Sequence, residues 1–163
     1  VTAYTARDWS DLFVASAGAS AALTGLVFVA VSINIERILK LQGVPERALE
    51  TVLLLLNVVI VSILGLAPGQ SQTALGIELL CTAILFGGAV AVLAFKSLPP
   101  AHDRAWRASR LLLVVPATIP FLIGALSLLA GTGGGLYWTL AGIVGAFIGA
   151  VINAWVLLVE ILR

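Results

Sequence analysis

Glu78 is an acidic residue inside an apolar run, 74–95, that is long enough to cross a bilayer. A carboxylate in lipid is costly unless it is neutralised, paired or wetted, so it marks an ion or proton pathway by default. Glu78 lies about 6 Å inside one end of its run, counting ~1.5 Å per residue. Two readings fit: an ion or proton site, or a carboxylate that reaches the outer headgroups. The shallow depth favours the second.

A second polar group sits nearer the opposite face. Asn57, Asn153, Ser32 and Asn34 fall in the inner half of three other apolar runs. Asn57 and Asn153 lie about 10 Å from the charged ends of theirs. Thr118, between Pro116 and Pro120, and the pair Gly87 and Gly88 occupy the same level in the remaining two. One reading is a polar cavity open on that side. The simpler one is interhelical hydrogen bonding, with each bond worth about 0.6 kcal/mol.

Small residues form two stripes at helical spacing. Gly142, Gly145 and Gly149 recur in the last run, in line with Asn153 and Glu160. Gly18, Ala22 and Gly25 recur in the first, in line with Ser32 and Glu36. Such faces let helix backbones approach closely. Two of them predict two tight contacts, one between these two helices and one between subunits.

Catalytic signatures are absent from the pattern. His102 is the single histidine and Cys81 the single cysteine, so a thiolate zinc site and an internal disulfide are both excluded. The glycines of 131–135 lack the lysine and the flanking strand of a phosphate loop, and read as a flexible turn. No enzyme activity, cofactor or metal is expected. Arg104, Arg107 and Arg110 form a basic run beside Trp106 that suits anionic lipid headgroups; the charge density is too low for nucleic acid. Glu36, Arg37, Glu46, Arg47 and Glu50 read as a solvated ion-pair cluster.

These residues must be positioned by membrane helices. Of 163 residues, 61% are hydrophobic and 10% charged, with a mean hydropathy of +1.14. Soluble domains are about 45–50% apolar and about 25% charged. A bilayer core of about 30 Å needs about 20 apolar residues, and the runs 12–35, 49–66, 74–95, 111–130 and 136–159 meet or approach that length. They are continuously apolar, unlike the alternating strands of a membrane barrel. The expected fold is an all-α bundle of five spans forming one domain. The first run is read as an anchor and not a cleaved signal, because Asp8 and Asp11 precede it and Arg37 and Lys40 follow it. Residues 5–11 read as a short interfacial helix, with Trp9 at headgroup level and Tyr137 and Trp138 marking the same boundary.

Orientation follows from the loops. The links at 67–72 and 131–135 carry no charge, whereas those at 36–48 and 96–110 are basic. Basic loops stay in the cytoplasm. With the N-terminus outside and the C-terminus inside, Arg7 is the one basic residue left outside.

The segment Ala22-Leu-Thr-Gly-Leu-Val-Phe-Val-Ala-Val-Ser-Ile-Asn-Ile-Glu-Arg-Ile-Leu39, followed by Arg47-Ala-Leu-Glu50 and Leu66-Ala-Pro-Gly-Gln70, resembles a family of small bacterial, actinobacterial-type integral membrane proteins. Some of these carry the name modulator of FtsH protease. The resemblance covers the first two spans and implies a bacterial cytoplasmic-membrane location, without an established activity or site residues. The expected function is therefore non-enzymatic. It is that of a membrane protein acting through helix contacts, as a homo-oligomer or as the accessory subunit of a membrane partner. The alternative is a small ion or solute channel or transporter.

Overall fold

The structure, a computed structural model, describes residues 2–96 and 104–162, with side chains placed for 2–96 and 111–159. The described residues are helical, with no strand among them. A 3-10 turn, Ala6–Trp9, leads into α1 (Ser10–Ile33), followed by α2 (Ile35–Ile38), α3 (Val44–Gly65), α4 (Gln72–Lys96), α5 (Arg104–Ala130) and α6 (Leu136–Leu162). Five of these helices are long and apolar enough to cross a membrane.

Two boundaries differ from expectation for local reasons. The first span breaks at Asn34, where φ is −107° and ψ 12°. The Asn34 side chain donates to the Ala30 carbonyl at 2.9 Å and its backbone N–H to Val31 at 3.2 Å. A short amide competing for backbone acceptors in this way ends a helix. The short α2 then carries Ile38 under Val44, Ala48 and Leu157, a small satellite core. In the other case, α3 begins at Val44 and not at residue 49. Gly43 adopts the left-handed conformation (φ 79°) and Pro45 sits in the first turn, where its fixed φ and missing N–H cost nothing. Glu46, Arg47 and Glu50 are thereby helical.

The helices α3, α4, α5 and α6 pack in a ring, each against the next and α6 back against α3, while α1 docks on the outside of α3. Leu54, Val58, Phe121, Leu79 and Ile143 fill the centre of the ring. Lipid supplies no hydrophobic drive between spans, so close packing and polar contacts must hold them. On α1 the buried side chains are Phe13, Ser16 and Ser20. The Phe13 ring packs directly on Gly65 of α3, where a Cβ would come within 2.5 Å of it. Ser20 Oγ donates to the Leu55 carbonyl at 2.6 Å.

The ends of the bundle differ. At one end, which we call the charged end, lie Glu36, Arg37, Glu46, Arg47 and Lys96. At the other, the turn end, the N-terminal segment is tied to the 131–135 turn. Leu136 N–H donates to Ala3 O at 2.7 Å, Gly134 N–H to the Tyr4 hydroxyl at 3.0 Å and Gly135 N–H to Ser127 Oγ at 2.7 Å. Gly135 has φ 48°, and a Cβ there would overlap Ala3 O at 2.1 Å. The backbone N–H groups of Gly131, Thr132, Gly134 and Gly135 are engaged, which ties the turn read as flexible to its surroundings, and at 135 only glycine admits the N-terminal segment so close. In the same region the Trp9 indole is buried, packed edge-on against Tyr137 with ring centroids 4.8 Å apart and donating to Thr2 O.

Candidate functional site

Among the described residues, the most deeply enclosed ionisable side chain is one that the sequence pattern assigns to the surface. Glu50 is 0% exposed. It sits about 9 Å along α3 from Val44 at ~1.5 Å per residue, on the same face as Leu54, Asn57 and Val61. Its Oε1 accepts a 3.0 Å hydrogen bond from Asn153 Nδ2 of α6, which is likewise 0% exposed. The expected solvated cluster is therefore corrected. Glu36 and Arg37 are exposed and Glu46 and Arg47 half-buried, but Glu50 points inward. A sequence signal for this exists: in a helix that starts at Val44, positions 50, 54, 57 and 61 form one stripe, and that stripe is the buried one.

One turn toward the turn end from Asn153, Gly149 lies at the junction of three helices. A Cβ on Gly149 would lie 3.5 Å from Leu54 Cδ1 and 3.6 Å from the Leu113 carbonyl oxygen. Glu50 and Asn153 thus cross-link α3 to α6 just beneath this junction. A buried carboxyl oxygen that accepts from an amide in a low-dielectric bundle makes a directional contact. It specifies the register of two helices whose apolar surfaces alone would slide.

The other polar residues are not gathered around this pair. Glu78 is half-buried at the turn end and accepts a short hydrogen bond from Gln70 Nε2, in the preceding turn. Ser32 is exposed and donates to Phe28 O of its own helix at 2.8 Å; Asn34 is spent on Ala30. Thr118 donates to Val114 O at 2.8 Å, also within its helix. Asn57 faces α4 and α5, where its Oδ1 has no hydrogen-bond partner. The cavity beside it, which Gly87 and Thr118 also line, measures about 10 Å³, room for about one water molecule. Among the described residues no cluster of His, Cys, Asp or Glu is disposed to hold a metal. His102 lies outside the described residues, as do the side chains of Arg104, Arg107, Arg110 and Glu160.

The two glycine stripes have different fates. Gly142 and Gly145 face α5: a Cβ on Gly142 would come within 2.9 Å of the Phe121 ring, and one on Gly145 within 2.1 Å of the Pro116 carbonyl oxygen. Pro120 explains the second approach. It has no N–H to offer the carbonyl four residues back, so Pro116 O is free of its usual helical donor and turns to the Cα–H of Gly145, a weak contact common between helices. The first stripe is different. Gly18, Ala22 and Gly25 are exposed on α1, and a Cβ on either glycine would meet nothing within 4 Å. The expected contact between the two stripes does not form, because α1 turns Phe13, Ser16 and Ser20 toward α3 and leaves its glycine face outward.

Architecture and sites together define an all-helical bundle with an internally braced core and five helices long and apolar enough to cross a membrane. Comparison with protein families, curated proteins and solved structures gives no match.

Proposed function

We propose that this is a non-enzymatic protein of the bacterial cytoplasmic membrane that works by lateral helix association, as a homo-oligomer or as the accessory subunit of a membrane partner. The N-terminus lies outside and the C-terminus inside, in keeping with the basic charged end. The observation that carries the reading is the outward face of α1. Gly18, Ala22 and Gly25 give that face close-approach geometry, and the protomer leaves it unused. The resemblance of residues 22–70 to small bacterial membrane proteins agrees with this location.

The test is the stoichiometry of the complex extracted with its lipids. Gly18→Ile and Gly25→Ile together should release the chain as a monomer while its own stability stays within about 0.5 kcal/mol of wild type, the range of a tolerated surface change. Native mass spectrometry reads the first and detergent unfolding the second. An assembly that survives both substitutions would refute association through α1.

The channel or transporter reading has one supporting observation, the Glu50–Asn153 contact inside the bundle. It is the weaker of the two, since the cavity beside Asn57 is too small for a hydrated ion and Glu78 is engaged by Gln70 at the rim.

A further inference from the structure

Between α4 and α5, toward the charged end, the bundle wall opens into a lateral groove of about 460 Å³. Ile84 and Phe95 mark its length on α4, and its walls are apolar. The groove is open because the sequence withholds side chains there. A Cβ on Gly88 would meet nothing within 4 Å, and one on Gly87 only Thr118 Cβ at 3.8 Å. Behind the groove lies the crevice of about 10 Å³ beside Asn57. Ala83, Gly87 and Thr118 line both spaces, so the groove leads inward to α3 past a bare glycine.

One polar atom is left over at the inner end. Asn57 is 5% exposed, and its Oδ1 is buried with no hydrogen-bond partner. Of the other side chains lining the crevice, only that of Thr118 carries a proton to donate, and it donates to Val114 O. A buried acceptor is costly to leave unmet. The crevice has room for about one water-sized group, and a hydroxyl is of that size. Apolar pockets with a single convergent polar atom fix the orientation of a ligand by that atom.

Depth narrows the choice. Gly87 lies roughly 14 Å along α4 from Lys96 at ~1.5 Å per residue. A phospholipid anchored at the charged end would bring only hydrocarbon to that level, and hydrocarbon gives Asn57 nothing. A free apolar molecule ending in a hydroxyl can lie in the groove and still supply the missing proton.

We propose that the groove between α4 and α5 is a binding site for a lipid-soluble alcohol, whose apolar body lies in the groove and whose hydroxyl passes between Gly87 and Thr118 to donate to Asn57 Oδ1.

Photolabelling of the full chain in detergent tests this. The probes are a dodecanol with a mid-chain diazirine and its methyl ether, which has the same tail and no proton to donate. Wild type should be labelled on α4 and α5 about fivefold more by the alcohol than by the ether, the weight of one hydrogen bond. Asn57→Leu should be labelled equally by both. Its unfolding midpoint should not fall below that of wild type, which separates a lost acceptor from a lost fold. Gly87→Leu keeps Asn57 and fills the way to it, and should lose the preference too. Equal labelling of wild type by the two probes would overturn the proposal and leave Asn57 to a water molecule. A preference for the alcohol that persists in either variant, or that is as large on α1, would overturn it as well.

Discussion

Gly145→Ala should destabilise the protomer by about 1–3 kcal/mol, the range for overpacking a tight contact. The added methyl meets a backbone carbonyl, Pro116 O at 2.1 Å, not the yielding end of a side chain. The Pro116 carbonyl is fixed by its place in α5, so relief requires α5 and α6 to separate along several turns. That separation would also loosen Gly142 from Phe121 and the Gly149 junction with Leu54. Gly18→Ala provides the contrast: it adds the same methyl where nothing lies within 4 Å, and replaces glycine by a better helix former. Unfolding in mixed detergent should place Gly145→Ala well below wild type and Gly18→Ala level with it. Equal midpoints for the two variants would mean that the α5–α6 contact does not require the bare glycine.

Asn153→Leu should cost about 1–3 kcal/mol, the range for withdrawing a hydrogen-bond partner from a buried polar group. The side chain removed is the one that donates to Glu50 from α6, and the leucine put in its place gives a carboxylate with 0% exposure nothing in return. Asn57→Leu makes the same chemical change one face away with the opposite expectation. Asn57 Oδ1 is buried without a partner, and replacing an unsatisfied polar atom by an apolar one is neutral or favourable. The two asparagines, alike in sequence depth, should therefore separate in the unfolding experiment. If Asn57→Leu proved as damaging as Asn153→Leu, the Glu50 contact would not be what distinguishes them. Glu50→Gln, which keeps an acceptor for Asn153, should be milder than Asn153→Leu in the same assay.

Both experiments turn on residues whose importance the sequence expresses unevenly. The glycine stripe of the last span is readable as a packing face, since glycine at three- and four-residue spacing has few other uses in a membrane helix. Its partner is not readable. Pro116 and Pro120 suggest a kink, whereas their consequence in the structure is a carbonyl without its helical donor, and seeing that requires knowing which helix passes beside it. Glu50 is hidden for a different reason. Its neighbours Glu46 and Arg47 are charged, and an apolar run that starts at residue 49 places Glu50 at the surface. The helix in fact begins at Val44, and the turn and a half gained carries Glu50 onto the buried stripe. Glu78 stands out because it interrupts an apolar run, but an interruption near a helix end can be answered by a turn residue, here Gln70.

The sequence by itself determined that this chain forms five apolar helices. Continuous apolar runs of membrane-crossing length, broken by Pro, Gly and charge, leave the backbone no other way to satisfy its hydrogen bonds in lipid. It also determined that the second and third spans, and the fourth and fifth, are antiparallel neighbours, because the links of a few residues at 67–72 and 131–135 allow nothing else. What only the tertiary structure decided is the rotation of each helix about its axis. In a span that is apolar on every side, hydropathy carries almost no information about facing. Rotation is settled by where a bare glycine, a freed carbonyl or a buried carboxylate finds its counterpart on another helix. That is why α1 turns Ser16 and Ser20 inward and its glycines outward, why α6 gives its glycines to α5, and why Glu50 meets Asn153.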